Sequence, residues 1–217
     1  KVRVLDNSEW ISTLTVYDQK GRAIWTKSDN PYLGTTDIVE TELDFTGRAV
    51  QVKSTHQRTG HADIVTVDTY GYDHVGRLVK KEQTLGGHTE LLAHNQYDAL
   101  GQLEAKQVGN ILGNPLQTVD YAYNVRGWLK AINDPANLGN DLFAFGINYN
   151  TVSHGGTALY NGNIAETEWR TANTDNALKW YRYGYDALNR ITGATDNSGK
   201  YNLSGVAYDK NGNIGAL

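Results

Sequence analysis

The stretch Tyr72-Asp73-His74-Val75-Gly76-Arg77 decides how this chain is read, because it occurs again as Tyr17-Asp18-Gln19-Lys20-Gly21-Arg22. Five further copies keep the frame with substitutions: Leu43-Asp44-x-x-Gly47-Arg48, Tyr97-Asp98-x-x-Gly101-Gln102, Tyr123-Asn124-x-x-Gly127-Trp128, Tyr185-Asp186-x-x-Asn189-Arg190 and Tyr208-Asp209-x-x-Gly212-Asn213. Tyr149-Asn150 falls where another copy is due but lacks the glycine. Successive copies begin 26, 29, 25, 26, 26, 36 and 23 residues apart. A period near 26 over almost the whole chain marks a repeat architecture.

The motif has a physical reading. Asp followed three residues later by Gly fits a type I turn closed by a left-handed residue. The carboxylate can accept from backbone N–H groups two residues on, and Gly takes positive φ without steric cost. Asn189 in the Gly position fits, since Asn tolerates that region best among the other residues. Asn124 can make the same turn bond as Asp. The flanks alternate as half-buried strands do: Val119, Tyr121 and Tyr123 share a face, and Lys179, Tyr181, Tyr183 and Tyr185 recur at period two. Each unit therefore reads as one hairpin. A lone hairpin is marginal in water, so the expectation is an all-β fold. Serial antiparallel hairpins would make one array over residues 1–217, a coiling extended sheet held by neighbour contacts. The motif tyrosines are expected to stack into ladders, with Arg from the next unit over the rings.

Interruptions carry their own expectations. The 36-residue gap contains Gly155-Gly156 and then Tyr160-Asn161-Gly162-Asn163-Ile164. Asn-Gly is a strong hairpin signal, so an extra or offset hairpin is expected there. Residues 28–36 and 133–141 read as exposed loops, and Glu90-Leu91-Leu92-Ala93-His94 as the one candidate helical turn. The sequence stops at Leu217 just after a turn, which reads as a cut array with no return strand.

Composition agrees. The 217 residues carry 23 Gly, 14 Tyr and 20 Asn, with only 3 Pro, 3 Phe and no Met. Disordered chains rarely hold so many aromatics, nor helical bundles so much Gly. A net charge of −4 leaves no basic footprint for nucleic acid. No apolar run approaches a membrane span. Without cysteine there are no disulfides, thiolate metal sites or thiol nucleophile.

At this period, Tyr-Asp-x-x-Gly-Arg resembles the YD repeat of the RHS family, which also covers insecticidal toxin-complex C subunits and animal teneurin shells. Leu116 through Leu129 and Tyr160-Asn161-Gly162-Asn163-Ile164 followed by Trp169 are especially similar to bacterial RHS proteins. The resemblance implies a hollow β cocoon around a C-terminal toxin domain of the same parent chain. It also implies neighbouring repeats as partners, a secretion apparatus, and a secreted or cell-surface bacterial setting. Some YD-repeat proteins are reported to bind carbohydrate. The aspartyl autoprotease motif of such shells, Asp-Pro-x-Gly, is absent: Asp134-Pro135 is followed by Ala136-Asn137.

Few residues offer other chemistry. Trp128 and Trp169 are the candidate glycan contacts, since aromatic faces suit sugar rings. His56, His61, His74, His88, His94 and His154 show no ligand spacing, so no metal is expected. Gly193 to Lys200 lacks the phosphate-loop spacing and its hydroxyl, and no cofactor is expected. Gly-x-Ser-x-Gly is absent, and Asn202-x-Ser204 matches a glycosylation sequon. The expected function is structural and non-catalytic: a shell segment enclosing a toxin or effector. The alternative is a carbohydrate-binding or adhesion module, and a glycosidase-like enzyme is the weaker third reading.

Overall fold

The computed structural model describes residues 1–3, 8–173 and 175–216. No helix occurs among them. The strands are β1 (Val2–Arg3), β2 (Trp10–Tyr17), β3 (Ala23–Asn30), β4 (Thr35–Leu43), β5 (Ala49–Arg58), β6 (Ile64–Tyr72), β7 (Leu78–Leu85), β8 (His88–Tyr97) and β9 (Leu103–Val108). They continue with β10 (Gln117–Tyr123), β11 (Leu129–Ile132), β12 (Phe143–Asn148), β13 (Glu166–Thr171), β14 (Lys179–Tyr185), β15 (Ile191–Asp196), β16 (Ala207–Tyr208) and β17 (Ile214–Ala216). β1 to β15 form one open antiparallel sheet in chain order, and β16 and β17 form a separate pair. The all-β reading in serial hairpins therefore holds.

The seven motif turns lie at β2/β3, β4/β5, β6/β7, β8/β9, β10/β11, β14/β15 and β16/β17, as the repeat spacing implies. The chain divides into two compact units, one of residues 1–96 and 106–116, the other of residues 97–105 and 117–217. In the first unit Leu91 is the buried apolar side chain. In the second these are Ala105, Leu138, Ala144, Ala165, Ala194 and Val206, of which Leu138, Ala165 and Val206 lie outside strands. So few buried groups mean that the hydrophobic effect acts here through half-covered side chains across neighbouring strands. A deep core is not what holds these units.

Several sequence expectations are corrected. Residues 28–36 are not a loop: β3 runs to Asn30 and β4 starts at Thr35, joined by a tight turn in which Gly34 N–H donates to the Pro31 carbonyl (3.1 Å) at φ +62°. Glu90 to His94 is not a helical turn. It lies within β8, where Lys81 and Glu82 face Ala93 and Leu91, and the unopposed Leu92 makes a bulge. Such a bulge inserts one residue without ending the strand, which is how a run of apolar neighbours fits a sheet. A return strand does exist at the end of the array: Ala207 faces Ala216 and Tyr208 faces Ile214. Leu217 lies outside the described residues. Residues 133–141 are a loop as expected, though Leu138 is buried within it.

Candidate functional site

The repeated turn is the unit from which everything else is positioned. In the third copy Asp73 N–H donates to the Arg77 carbonyl (3.0 Å) and Gly76 N–H to the Asp73 carbonyl (3.0 Å). One carboxylate oxygen of Asp73 accepts from the N–H groups of Val75 (3.0 Å) and Arg77 (2.8 Å), and the other from Arg77 Nε (2.7 Å). Gly76 sits at φ +90°. The ladder shifts register between Gly71 and Tyr72, giving a type I turn with a glycine bulge. The same set recurs at Asp18 with Arg22, Asp44 with Arg48 and Asp186 with Arg190. Asn189 takes φ +62° in place of glycine, as its sequence position implies.

These bonds hold the carboxylates charged. For Asp18 and Asp186 the backbone N–H of Arg22 and of Arg190 leads in pulling the carboxyl below its ordinary range. At Asp44 the Thr46 hydroxyl leads, and at Asp209 the Asn213 side chain does. At Asp73 desolvation opposes the shift, and the bonds to Arg77 overcome it.

Arg22, Arg48 and Arg190 also reach the following unit. Arg48 lies over the Tyr72 ring at 4.8 Å, and Arg190 over the Tyr208 ring at 4.4 Å. A Cβ on Gly76 would sit 2.6 Å from Arg48 Nη1, and one on Gly47 would sit 2.8 Å from Arg22 Nη1. Each such cation–π contact contributes on the order of 0.5–1 kcal/mol. The tyrosine hydroxyl then closes the link: Tyr72 donates to the Ala49 carbonyl (2.9 Å) and Tyr208 to that of Ile191 (2.7 Å), in each case the residue after the arginine. Two expectations are thereby corrected. The arginine comes from the preceding unit, not the next, because its own aspartate anchors Nε and Nη2 and so lays the guanidinium plane forward over the following ring. At Tyr72 and Tyr208 the expected ladder of stacked rings gives way to a guanidinium on the ring face, and at Tyr149 to the Trp128 indole. Tyr17, with no motif turn before it in the sequence, is 59% exposed.

Where the motif departs, the partners change with it. Asp98 keeps the turn bonds to Leu100 N–H (2.9 Å) and Gln102 N–H (2.8 Å). Gln102 Nε2 lies 3.1 Å from where a Cβ of Gly127 would be. Asn124 holds its turn through Arg126 and Trp128 N–H but offers no carboxylate for an arginine. Trp128 stands in the arginine position, its ring 5.2 Å from Tyr149 and under Arg126 at 5.1 Å. Tyr149 donates to the Leu129 carbonyl (3.1 Å), the bond a motif tyrosine makes.

Residues 149–165 are not an extra hairpin. They contain no strand and replace the sixth motif turn in chain order, between β12 and β13. Three of their backbone N–H groups go to a carboxylate, while Leu159 N–H donates to the Tyr149 carbonyl (2.8 Å) and Ala165 N–H to that of Asn148 (2.8 Å). Glu166, fully buried, accepts from the N–H groups of Ser153 (2.7 Å), His154 (2.9 Å) and Gly156 (2.7 Å) and from Asn148 Nδ2 (3.2 Å). Burial pushes Glu166 up, but these donors outweigh it and hold the carboxyl below its ordinary value of 4.5. His154 Nε2 pairs with Glu168 (2.6 Å), and its ring stacks on Trp180 at 4.9 Å. The loop ends in Tyr160-Asn161-Gly162-Asn163-Ile164, and Tyr185 donates to the Ile164 carbonyl (2.9 Å) as though a motif turn had closed there. Nothing in the sequence singled out Glu166. A lone Glu two residues after Gly-Asn-Ile carries no local signal, because its donors lie ten to thirteen positions upstream.

The two candidate tryptophans lie apart. Trp128 lines a cleft of about 540 Å³ with Tyr149, Tyr160, Arg126 and Lys130. Trp169 stacks on Tyr181 at 5.9 Å and lines another of about 360 Å³ with Lys179, Lys200 and Tyr201. No cluster of three or more metal-ligating side chains occurs among the described residues, and no helix there is long and apolar enough to cross a membrane.

No protein-family model matches the chain, and no curated protein matches it. Among solved structures it is similar to TcdB2-TccC3-Cdc42, with 13% identity and a TM-score of 0.35 over 92% of this chain and 10% of that one. It is also similar to TcdB2-TccC3 without its hypervariable C-terminal region, with 15% identity and a TM-score of 0.42 over 84% of this chain and 13% of that one. The chain thus spans about a tenth of the length of these structures.

Two outcomes follow from the geometry. Gly76→Val should cost about 1–3 kcal/mol in urea unfolding from positive φ alone, with the Arg48 clash added. Gly76→Ala should cost more than Gly86→Ala, where φ is +58° but nothing lies within 4 Å, and Arg48→Ala should remove the excess. Equal costs would count against the forward reach of Arg48. For Glu166, a folded pKa below the unfolded one means that its stabilisation is present above about pH 4.5 and is lost as pH falls through the lower folded value. Thermal melts between pH 6 and 3 should show a smaller drop for Glu166→Gln than for the parent sequence.

Proposed function

We propose that this chain is a non-catalytic wall segment of an RHS/YD-repeat shell, secreted or surface-exposed in bacteria, that closes around a C-terminal toxin or effector domain of the same parent chain. The observation that carries this reading is the forward link from one turn to the next, made by Arg22, Arg48, Trp128 and Arg190. A sheet whose hairpins are tied turn to turn can extend by adding units, and its work is geometric containment. The motif carboxylates are spent on turn N–H groups and arginines, which leaves them poorly placed as general acids. The experiment is limited proteolysis of the parent protein. Its sequence should run beyond Leu217 into further repeats and a variable C-terminal domain, and that domain should resist protease in the intact shell. Arg48→Ala combined with Arg190→Ala should expose it. Equal cleavage in both, or no downstream domain, would sink containment.

A second reading, a carbohydrate-binding module, is supported by the placement of Trp128 and Trp169, each lining a cleft beside lysine and tyrosine side chains. Glycan-array binding by this chain should be lost on Trp169→Ala or Trp128→Ala. Unchanged binding in both would count against it.

A further inference from the structure

The cleft over the expanded sixth turn has basic groups as its only charged lining side chains. The chain carries a net charge of −4, yet no Asp or Glu lines this cleft, while Arg126 and Lys130 both do. Lys130 is exposed and has no side-chain partner among the described residues, and the same holds for Asn150. Arg126 is fixed: its guanidinium lies 5.1 Å from the Trp128 ring, and Nη1 donates to the Tyr160 carbonyl (3.3 Å). Tyr160 is 70% exposed at the rim, and Tyr149 packs behind Trp128. Structural duty accounts for Trp128 and Tyr149, which carry the link between turns. It does not account for an exposed tyrosine, an unpaired lysine and an unpaired amide gathered in one hollow of about 540 Å³.

Each group has a chemical preference. An open tyrosine face suits the C–H face of a saccharide ring, and an amide such as Asn150 both donates to and accepts from hydroxyls. Lys130 with the free N–H groups of Arg126 calls for an oxyanion, which a guanidinium and an ammonium bind by charge-assisted bonds. We propose that this cleft binds a carboxylate-bearing saccharide, with the ring on Tyr160 and the carboxylate on Lys130 and Arg126. The inference rests on the carbohydrate-binding reading and names the ligand class of its larger cleft. It stands apart from containment, since a wall segment can also carry a surface site.

Titration calorimetry of this chain with an oligogalacturonate and with its methyl ester tests it, with poly-glutamate as a second polyanion. The acid form should bind, the ester at least about tenfold more weakly, and Lys130→Ala should weaken the acid form about tenfold without moving the melting temperature. Tyr160→Ala should weaken both sugars. If acid and ester bind alike and both are lost on Trp169→Ala, the carbohydrate reading stands and this inference falls. If poly-glutamate competes with equal affinity at Lys130, the cleft is a general anion site and the inference also falls. If neither sugar binds, this inference falls, and glycan-array binding decides the carbohydrate reading by itself.

Discussion

The structure depends on one carboxylate constraint. In four of the seven motif turns an aspartate accepts two backbone N–H groups with one oxygen and an arginine Nε with the other, as Asp73 does with Val75 and Arg77. The first pair fixes the reversal of the chain. The second fixes a long side chain that would otherwise lose substantial rotamer entropy on ordering. With Nε and Nη2 held by Asp44, Arg48 turns Nη1 toward Gly76 and lays its guanidinium over Tyr72. Positive φ and a close guanidinium thus act on the same glycine. Neither effect is large by itself. Their recurrence along the array is what lets an extended sheet do without a deep core.

That economy explains the pattern of burial. Leu91 and Glu166 are the largest fully buried side chains among the described residues, and one of them is charged. A buried carboxylate is costly unless its oxygens are satisfied. Glu166 meets this with three backbone donors and an amide. The result is a long loop without strands that is nonetheless tied to one point of the sheet. Such a loop can replace a turn without breaking the array, because Tyr149 and Tyr185 still find the carbonyls of Leu129 and Ile164.

Substitutions within the motif are coupled and not random. When Asp becomes Asn at 124, arginine in the last position would lose its carboxylate, and Trp128 takes over the contact with the next tyrosine, using its ring area. Arg126, two positions before Trp128, lies over the indole. A departure in one motif thereby opens a cleft in which charge and aromatic surface meet.

Local sequence alone determined the seven turns, their hairpins and the all-β character, because each turn is closed by residues within four positions of one another. It also placed Asn189 correctly in the left-handed region. Three matters were decided only in the tertiary structure. The first is the direction in which arginine reaches, the second is the fate of residues 149–165, and the third is the bulged strand through Leu91. Each turns on partners that lie many residues away or across the sheet. Asn161-Gly162 carries a hairpin signal that is overridden because Glu166 claims the N–H groups of Ser153, His154 and Gly156 in the segment before it. A periodic motif announces its own short-range bonds, but it is silent about which distant side chain will satisfy the groups it leaves over.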